Sequence, residues 1–214
     1  EEGTFQFLPW LLSAGGSMEK LDSKEAVKAF SFLADLIKDG SISKEVINRT
    51  QQDVMKEFTA GKTAMMINGS WQLPQISSVM KDMEYGVVKI PKDKKYSSVL
   101  GGENIAVVNG KNKKLALKFL YYVCRPENVK WYSNALGYFP PRKDIAIDDL
   151  LAGNPAMEVF ADEIKYAQPR DPNPKWPEIS RVISEAFQED LTGAKTPESV
   201  AKDAQRKIDL ILKQ

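Results

Sequence analysis

The sequence predicts an α/β fold in which helices cover a small number of short strands. Two observations lead to this prediction: apolar residues recur at helical spacing along most of the 214 residues, and three short apolar runs end at Gly, Pro or Asn-Gly. We expect three or four strands among roughly eight helices, and we find no internal repeat.

The first helices are marked by their ends. In the stretch 21–40, Asp22 and Glu25 have the spacing of a capping box, and Gly40 supplies a left-handed stop. In the stretch 50–61, Thr50 is the predicted N-cap and Gly61 the stop. Both stretches are therefore expected to form helices that end at a glycine.

The stretch "GKTAMMINGSW", residues 61–71, raises the question of a phosphate-binding loop. Such a loop leaves a strand and opens a helix, whereas Gly61 here ends a helix, so the order is reversed. We expect "AMMI" to form a buried strand and Asn68-Gly69 to turn the chain into a helix capped by Ser70. Trp71 then lies at a strand-to-helix junction, where ligands of α/β proteins gather, unless it is only a packing anchor.

The rest of the chain continues this pattern. Strands are predicted at 85–91 and 104–108, the second after the kink at Gly101-Gly102. A helix bounded by Pro126 and Gly137 leads into the Pro-rich loop "GYFPPRKD", which carries Tyr138, Phe139 and Arg142. Further helices are predicted to begin at "NPAM", "WPEI" and "TPES", that is at 154, 176 and 196.

Composition excludes several classes of function. The 30 Lys and Arg residues balance 29 Asp and Glu residues, so no net field attracts nucleic acid. No histidine is present, which removes Ser-His and Cys-His catalysis and the common zinc sites. The single cysteine, Cys124, is expected to be a buried structural thiol. We predict no metal, no cofactor and no membrane-spanning helix.

Three of the four tryptophans indicate a sugar site. Trp10, Trp71 and Trp176 lie beside Pro, Gly or a helix start, where a side chain can project into a cleft, while Trp131 lies inside a helix and is expected in the core. Aromatic rings match the C–H faces of pyranose rings, and neighbouring carboxylates, amides and Arg side chains bond hydroxyl groups. A site of this kind binds sugars without catalysing a reaction.

The order of motifs along the chain resembles a known family. "PWLLSAGG", "FTAGKTAMMINGSW", "YGVVKIP", "LGGENIAVV" and "YFPPRKD", followed by the Trp-Pro-Glu helix, are similar to the bacterial extracellular solute-binding proteins of ABC importers, in the maltose-binding-protein-like group. The resemblance implies a type II periplasmic-binding-protein fold, with two lobes and a solute held between them. It begins in the middle of the family pattern, so we expect half of the first lobe to be absent.

The resemblance also implies a set of ligand-binding residues and a division into lobes. Residues 1–95 and 145–214 are expected to build the second lobe, and 96–144 to cross into the first lobe and return. Glu103 stands where the family often has an aromatic residue, which leaves the solute open. The residues expected to bind ligand are Trp10, Trp71, Glu103, Asn104, Arg142 and Trp176.

The implied function is a non-catalytic receptor that captures a sugar or oligosaccharide and delivers it to the permease of an ABC importer. We expect a monomeric periplasmic or extracellular protein, with a lipid anchor as one option and no nucleic-acid partner. Three alternatives stay open: a glycan-processing enzyme that uses Glu103 and Asp171, a protein-interaction domain, and a receptor for another solute. The pair Tyr121-Tyr122 suggests ferric ion, but its helical spacing favours core packing.

Overall fold

The computed structural model describes residues 2–81, 84–170 and 172–213, and helices dominate this part of the chain. Two short 3-10 helices, Lys44–Asn48 and Ser70–Gln72, lie among the α-helices. The α-helices are α1 (Glu2–Ser13), α2 (Lys24–Lys38), α3 (Gln51–Thr59), α4 (Leu73–Val79), α5 (Lys113–Val123), α6 (Pro126–Leu136), α7 (Asp148–Leu151), α8 (Pro155–Ile164), α9 (Trp176–Leu191) and α10 (Pro197–Leu212).

The strands are β1 (Ser98–Leu100) and β2 (Ala167–Pro169), and they form a two-stranded parallel sheet. Ser98 lies opposite Ala167, and Leu100 lies opposite Pro169. Each strand has three residues, too few to show an alternating pattern, and the sequence reasoning missed both. The prediction of helices around a short-stranded sheet is confirmed.

The three strands that the sequence predicted do not form within the described residues. The segments 64–67, 85–91 and 104–108 are irregular, and their apolar side chains reach solvent: Met65, Val88 and Val108 are each 84% exposed. A strand depends on hydrogen bonds to a neighbouring strand, and these segments find none in the described part of the chain. The apolar composition of these segments alone was therefore not enough to predict a strand.

The main core joins α1, α2, α9 and α10. Phe7 of α1 stacks on Phe30 of α2, with ring centroids 4.2 Å apart, and also contacts Phe187 of α9 at 5.6 Å. Val200, Ala204 and Ile208 of α10 face the same cluster. The sequence reasoning missed α1, because Pro9 inside it is unfavourable to a helix.

A smaller core supports the start of α4. Met55 of α3, Ile76 of α4 and Met80 after α4 pack together, and the side-chain amide of Gln52 donates to Gln75 at 2.9 Å. The N-cap predicted at Thr50 is confirmed, and together with Asp53 it forms a capping box that fixes the start of α3. This unit holds the segment that carries Trp71.

Two capping predictions were wrong. Ser23, not Asp22, caps α2, because its hydroxyl accepts from the amide of Ala26. Ser70 does not cap a helix but is the first residue of the 3-10 helix, which follows Gly69. The glycine stops predicted at Gly40, Gly61 and Gly137 all have positive φ and are confirmed.

Helices α5 and α6 pack mainly on each other and leave apolar side chains exposed. Cys124, at the C-cap of α5, is exposed rather than buried, and so are Tyr121 and Tyr122. Trp131 of α6 is 73% exposed, so its assignment to the core is also wrong for the described chain. Helical spacing predicted that these residues lie in the core, but the described residues supply no surface against which they pack. No helix among the described residues has the length and apolarity needed to cross a membrane.

Candidate functional site

Trp71 stands at the start of the 3-10 helix with its ring directly over Gly69. A β-carbon built on Gly69 would lie 2.0 Å from Cζ3 and 2.1 Å from Cη2 of the Trp71 ring. The indole therefore rests on the bare backbone of Gly69, and Trp71 remains 40% exposed. This arrangement gives a flat aromatic platform with a fixed underside.

The turn beneath Trp71 is held by Asn68. The side-chain amide of Asn68 donates to the carbonyl oxygen of Gln51 at 2.8 Å, and its Oδ1 accepts from the amide of Gly69 at 3.0 Å. The amide of Gln72 then donates to the carbonyl of Gly69 at 3.1 Å and begins the helical turn. The predicted Asn-Gly turn does not form, because Gly69 is extended, with φ −102° and ψ 167°; the 3-10 turn that follows it positions Trp71.

Tyr138 lies next to Trp71. The two ring centroids are 6.4 Å apart and the ring planes are inclined by 50°. Tyr138 is half-buried and follows Gly137, the left-handed C-cap of α6, and its backbone amide donates to the carbonyl of Ser133 at 2.9 Å. The Pro-rich loop that the sequence indicated after Gly137 thus brings an aromatic ring to the platform.

Arg142 braces the same loop. Its Nε donates to Asp144 at 2.9 Å and its Nη1 donates to the backbone carbonyl of Cys124 at 2.8 Å. The hydrogen bond from Arg142 lowers the pKa of the Asp144 carboxyl group. These bonds occupy the guanidinium in joining the loop to the end of α5, and its contact with a ligand stays a prediction.

Glu103 and Asn104 lie beyond the carboxyl ends of the two parallel strands. There Gly101 meets the ring of Phe5, since a β-carbon on Gly101 would lie 2.8 Å from its Cζ, and the guanidinium carbon of Arg170 lies 4.1 Å from the centroid of the same ring. Both Glu103 and Asn104 are exposed. Asp171, the second carboxylate of the enzyme alternative, lies outside the described residues.

Trp10 and Trp176 lie against the main core rather than against Trp71. Trp10 packs on Phe32 of α2 with ring centroids 5.0 Å apart, and Trp176 is the first residue of α9. Both are half-buried. No ring contact in the described chain joins either of them to Trp71, so the structure brings together Trp71 and Tyr138 only. The ligand roles of Trp10 and Trp176 stay predictions.

An open groove of about 670 Å³ lies elsewhere, between residues 87–92 and α8. Lys89 forms an ion pair with Asp162 in this groove, and its ammonium lies 4.5 Å from the ring centroid of Tyr96. The two ammonium groups of Lys165 and Lys89 lower the pKa of Asp162 to about 2. None of the predicted ligand-binding residues lines this groove.

The sequence reasoning missed two residues of the aromatic site. Gly69 was identified as part of a turn, but its role as the residue that supports the Trp71 ring from below was missed. The available signal was a Gly two residues before a Trp at a helix start. Tyr138 was identified as an aromatic residue of the loop but not as a partner of Trp71. Only the fold shows that α6 ends beside the 3-10 helix.

Comparison with protein families gives an independent result. The family model described as bacterial extracellular solute-binding protein matches residues 1–159. Among curated proteins, the chain is 26% identical over 213 residues to the sn-glycerol-3-phosphate-binding periplasmic protein UgpB of Escherichia coli, covering 91% of this chain and 48% of UgpB. The chain spans about half the length of the curated relatives it matches.

Solved structures share the fold. A solute-binding protein of an ABC transporter from Thermotoga lettingae, bound with α-D-tagatose, is 30% identical, with a TM-score of 0.84 over 98% of this chain and 56% of that protein. The maltose-bound MalE3 of T. maritima is 23% identical, with a TM-score of 0.87 over 97% of this chain and 57% of MalE3. The predicted periplasmic-binding-protein fold is confirmed.

Proposed function

Because the chain belongs to the bacterial extracellular solute-binding proteins, we propose that it binds a sugar or oligosaccharide and delivers it to an ABC importer. The observation that carries this proposal is the Trp71 ring, which is supported from below by Gly69 and remains 40% exposed. An exposed ring on a rigid floor is suited to stacking against the C–H face of a pyranose.

The platform meets the physical needs of sugar binding. A free aromatic side chain would lose rotamer freedom on binding, whereas the Trp71 ring is already set in position by the close approach to Gly69. Burial of its exposed face against a sugar contributes about 1–3 kcal/mol through area and aromatic contact. Hydroxyl groups at the rim of the sugar then need polar partners, a role that we assign to Glu103 and Asn104.

We place the solute in a cleft between two lobes. In this proposal residues 1–95 and 145–214 form the second lobe, and 96–144 crosses to the first lobe and returns. The main core supports the division, since its buried members come from residues 7–37 and 179–208 and none comes from 96–144. The exposed apolar surfaces of α5 and of the Trp131 side of α6 are what a segment that belongs to the other lobe would show, and the end of α6 at Gly137 is where this segment returns to the second lobe.

An uncharged solute fits the surroundings better than a phosphate. Arg142 is the guanidinium nearest in sequence to Tyr138, and it is bonded to Asp144 and to the carbonyl of Cys124. A phosphate would need a cationic donor at this point to offset the loss of its hydration, and these bonds hold the Arg142 guanidinium within its own loop. We therefore favour sugars over the anionic solute named for UgpB.

The remaining parts of the proposal follow from the family. We propose a non-catalytic, monomeric receptor outside the cytoplasmic membrane, with or without a lipid anchor, whose partners are the permease subunits of the importer and not nucleic acid. Family members are binding proteins, which supports a non-catalytic role and disfavours the glycan-processing alternative.

The test is a calorimetric titration of the full-length gene product with maltose, tagatose, sn-glycerol-3-phosphate and ferric citrate. We expect heat from at least one saccharide, accompanied by a change in tryptophan fluorescence, and no cleavage products on chromatography after overnight incubation. Binding of sn-glycerol-3-phosphate or ferric ion alone would assign a non-sugar solute. Cleavage of maltose would contradict the receptor role.

A further inference from the structure

We propose that Tyr138 forms the second wall of the Trp71 site and that the pair selects saccharides of two or more rings, with Gly69 as the residue that positions the Trp71 ring. This inference rests on the proposed sugar-binding function. It adds two residues and a minimum ligand size that neither the sequence pattern nor the relatives specify.

The geometry excludes a sugar ring that is sandwiched between the faces of Trp71 and Tyr138. A sugar ring held between two aromatic faces needs about 7–8 Å between them, twice the usual carbon–carbon contact distance of about 3.5–4.0 Å. The rings of Trp71 and Tyr138 are only 6.4 Å apart between centroids and are inclined by 50°. They therefore form one bent surface, not the two sides of a slot.

A bent surface of two rings has room for two sugar rings. One pyranose covers the exposed face of Trp71, because a stacked sugar and an indole are of comparable size. Tyr138 then lies beside that sugar, where a second, linked ring meets it. The Tyr138 hydroxyl makes no hydrogen bond within the described residues, so it is free to bond a hydroxyl group of the second sugar.

The two walls are held as one unit. Gly137 touches the carbonyl oxygen of Ser70 and the ring of Pro74, so the end of α6 is seated on the turn that carries Trp71. The hydrogen bond from the Tyr138 amide to Ser133 fixes the residue relative to α6. The angle between the two aromatic rings is thus built into the fold before any ligand binds.

Gly69 sets the plane of the Trp71 ring, which is the first wall of the site. Any β-carbon at this position falls inside the Trp71 ring, at 2.0–2.4 Å from three of its carbon atoms. Its φ of −102° is an ordinary backbone conformation, so alanine costs no backbone strain. The Gly69→Ala change therefore displaces the ring of Trp71 while leaving the turn allowed.

The experiment compares a one-ring and a two-ring ligand. The full-length gene product and its Tyr138→Ala, Tyr138→Phe and Gly69→Ala variants are titrated with glucose and with maltose. Tyr166→Ala and Gly110→Ala serve as matched controls, since Tyr166 is a partly exposed tyrosine that packs on Tyr96 rather than on Trp71, and a β-carbon on Gly110 meets nothing within 4 Å. Melting temperatures verify folding, and Tyr138→Leu replaces Tyr138→Ala if the latter is unfolded.

We expect Tyr138→Ala to weaken maltose binding by about 3- to 12-fold and to leave the affinity for glucose within about 2-fold, because only the second ring contacts Tyr138. Tyr138→Phe keeps most of the maltose affinity, since the ring is retained. Gly69→Ala weakens both ligands, and the two controls weaken neither. Where glucose gives no direct heat with the parent, its competition against maltose measures the one-ring affinity.

Two results overturn the inference without touching the proposed function: maltose affinity unchanged in Tyr138→Ala, or maltose and glucose weakened equally by it. Retained affinity in Gly69→Ala overturns the positioning role of that glycine. A parent protein that binds neither saccharide, and none of the other sugars tested, overturns the proposed function itself.

Discussion

The α-carbon of Gly137 lies against the carbonyl oxygen of Ser70, so closely that a β-carbon on Gly137 would stand 2.7 Å from that oxygen. Gly137 also has a φ of +68°, which side chains with a β-carbon rarely adopt. Two separate constraints therefore require glycine here. Together they bring the end of α6 onto the turn of Trp71.

Alanine at Gly137 tests the two constraints separately when it is compared with alanine at Gly153. Gly153 has nearly the same φ, +69°, but a β-carbon there meets nothing within 4 Å. We expect Gly153→Ala to cost about 1 kcal/mol of unfolding free energy through backbone strain, and Gly137→Ala to cost about 1–3 kcal/mol more through the clash. Urea denaturation of both variants measures the difference. Equal losses would show that the contact with Ser70 carries no energy.

Trp71→Ala separates a ligand contact from a packing anchor. Because the ring is partly exposed, we expect a loss of about 1–3 kcal/mol in sugar binding with a small change in the urea midpoint. A buried tryptophan would instead cost roughly 3–5 kcal/mol of stability on truncation. Tyr166→Ala, which removes a partly exposed aromatic ring that packs on Tyr96, is the control and should leave affinity unchanged. A large midpoint loss at constant affinity would contradict the stacking role.

The helices could be predicted because their signals are local. Thr50 with Asp53, Thr196 before Pro197, and Gly137 at the end of α6 each determine a helix end through neighbours within one turn. The short helix α7 was missed, and so was α1, because the interior Pro9 conceals it. Its helical state depends on burial of Phe7 and Leu11 in the main core, which the local sequence does not reveal.

The strands and the aromatic site could not be predicted in the same way. Runs such as 104–108 are apolar enough to be strands, but pairing is set by distant residues, and the pair that forms is 98–100 with 167–169. Trp71 was identifiable from its position beside Asn-Gly. Its partnership with Tyr138 depends on the approach of Gly137 to Ser70, which joins two stretches far apart in the chain.

Glu103→Gln tests the polar part of the proposed site. Glu103 is exposed beyond the end of β1, and its carboxylate can accept charge-assisted hydrogen bonds from two sugar hydroxyl groups. We expect the glutamine variant to lose about 1–2 kcal/mol of sugar affinity in the full-length gene product, because the amide keeps one acceptor oxygen but not the charge. The control is Glu127→Gln, at an exposed position of α6. Equal affinities of parent and Glu103→Gln at low and moderate salt would exclude Glu103 from the site.

Asp190 gives the protein a pH-dependent stability that is independent of ligand. Its side chain is 2% exposed near the end of α9, and neither carboxylate oxygen has a hydrogen-bond partner among the described residues. Burial, with a smaller contribution from the nearby charge of Asp35, raises the pKa of Asp190 from 3.8 to about 7. Ionisation of this group is therefore unfavourable in the folded state.

The sign of the effect follows from proton binding. Between pH 3.8 and about 7 the folded protein holds a proton on Asp190 that the unfolded chain has released, so the contribution of Asp190 to stability falls as pH rises through this window and is constant above it. The loss amounts to at most about 4 kcal/mol, at about 1.4 kcal/mol for each unit of pKa.

Asp190→Asn mimics the protonated form, so we expect it to be more stable than the parent at pH 8 and equal to it near pH 4. Urea midpoints across this range, with Glu198→Gln of α10 as an exposed control, measure the difference. A stability difference between Asp190→Asn and the parent that does not change with pH would show that Asp190 has the same pKa in the folded and unfolded states.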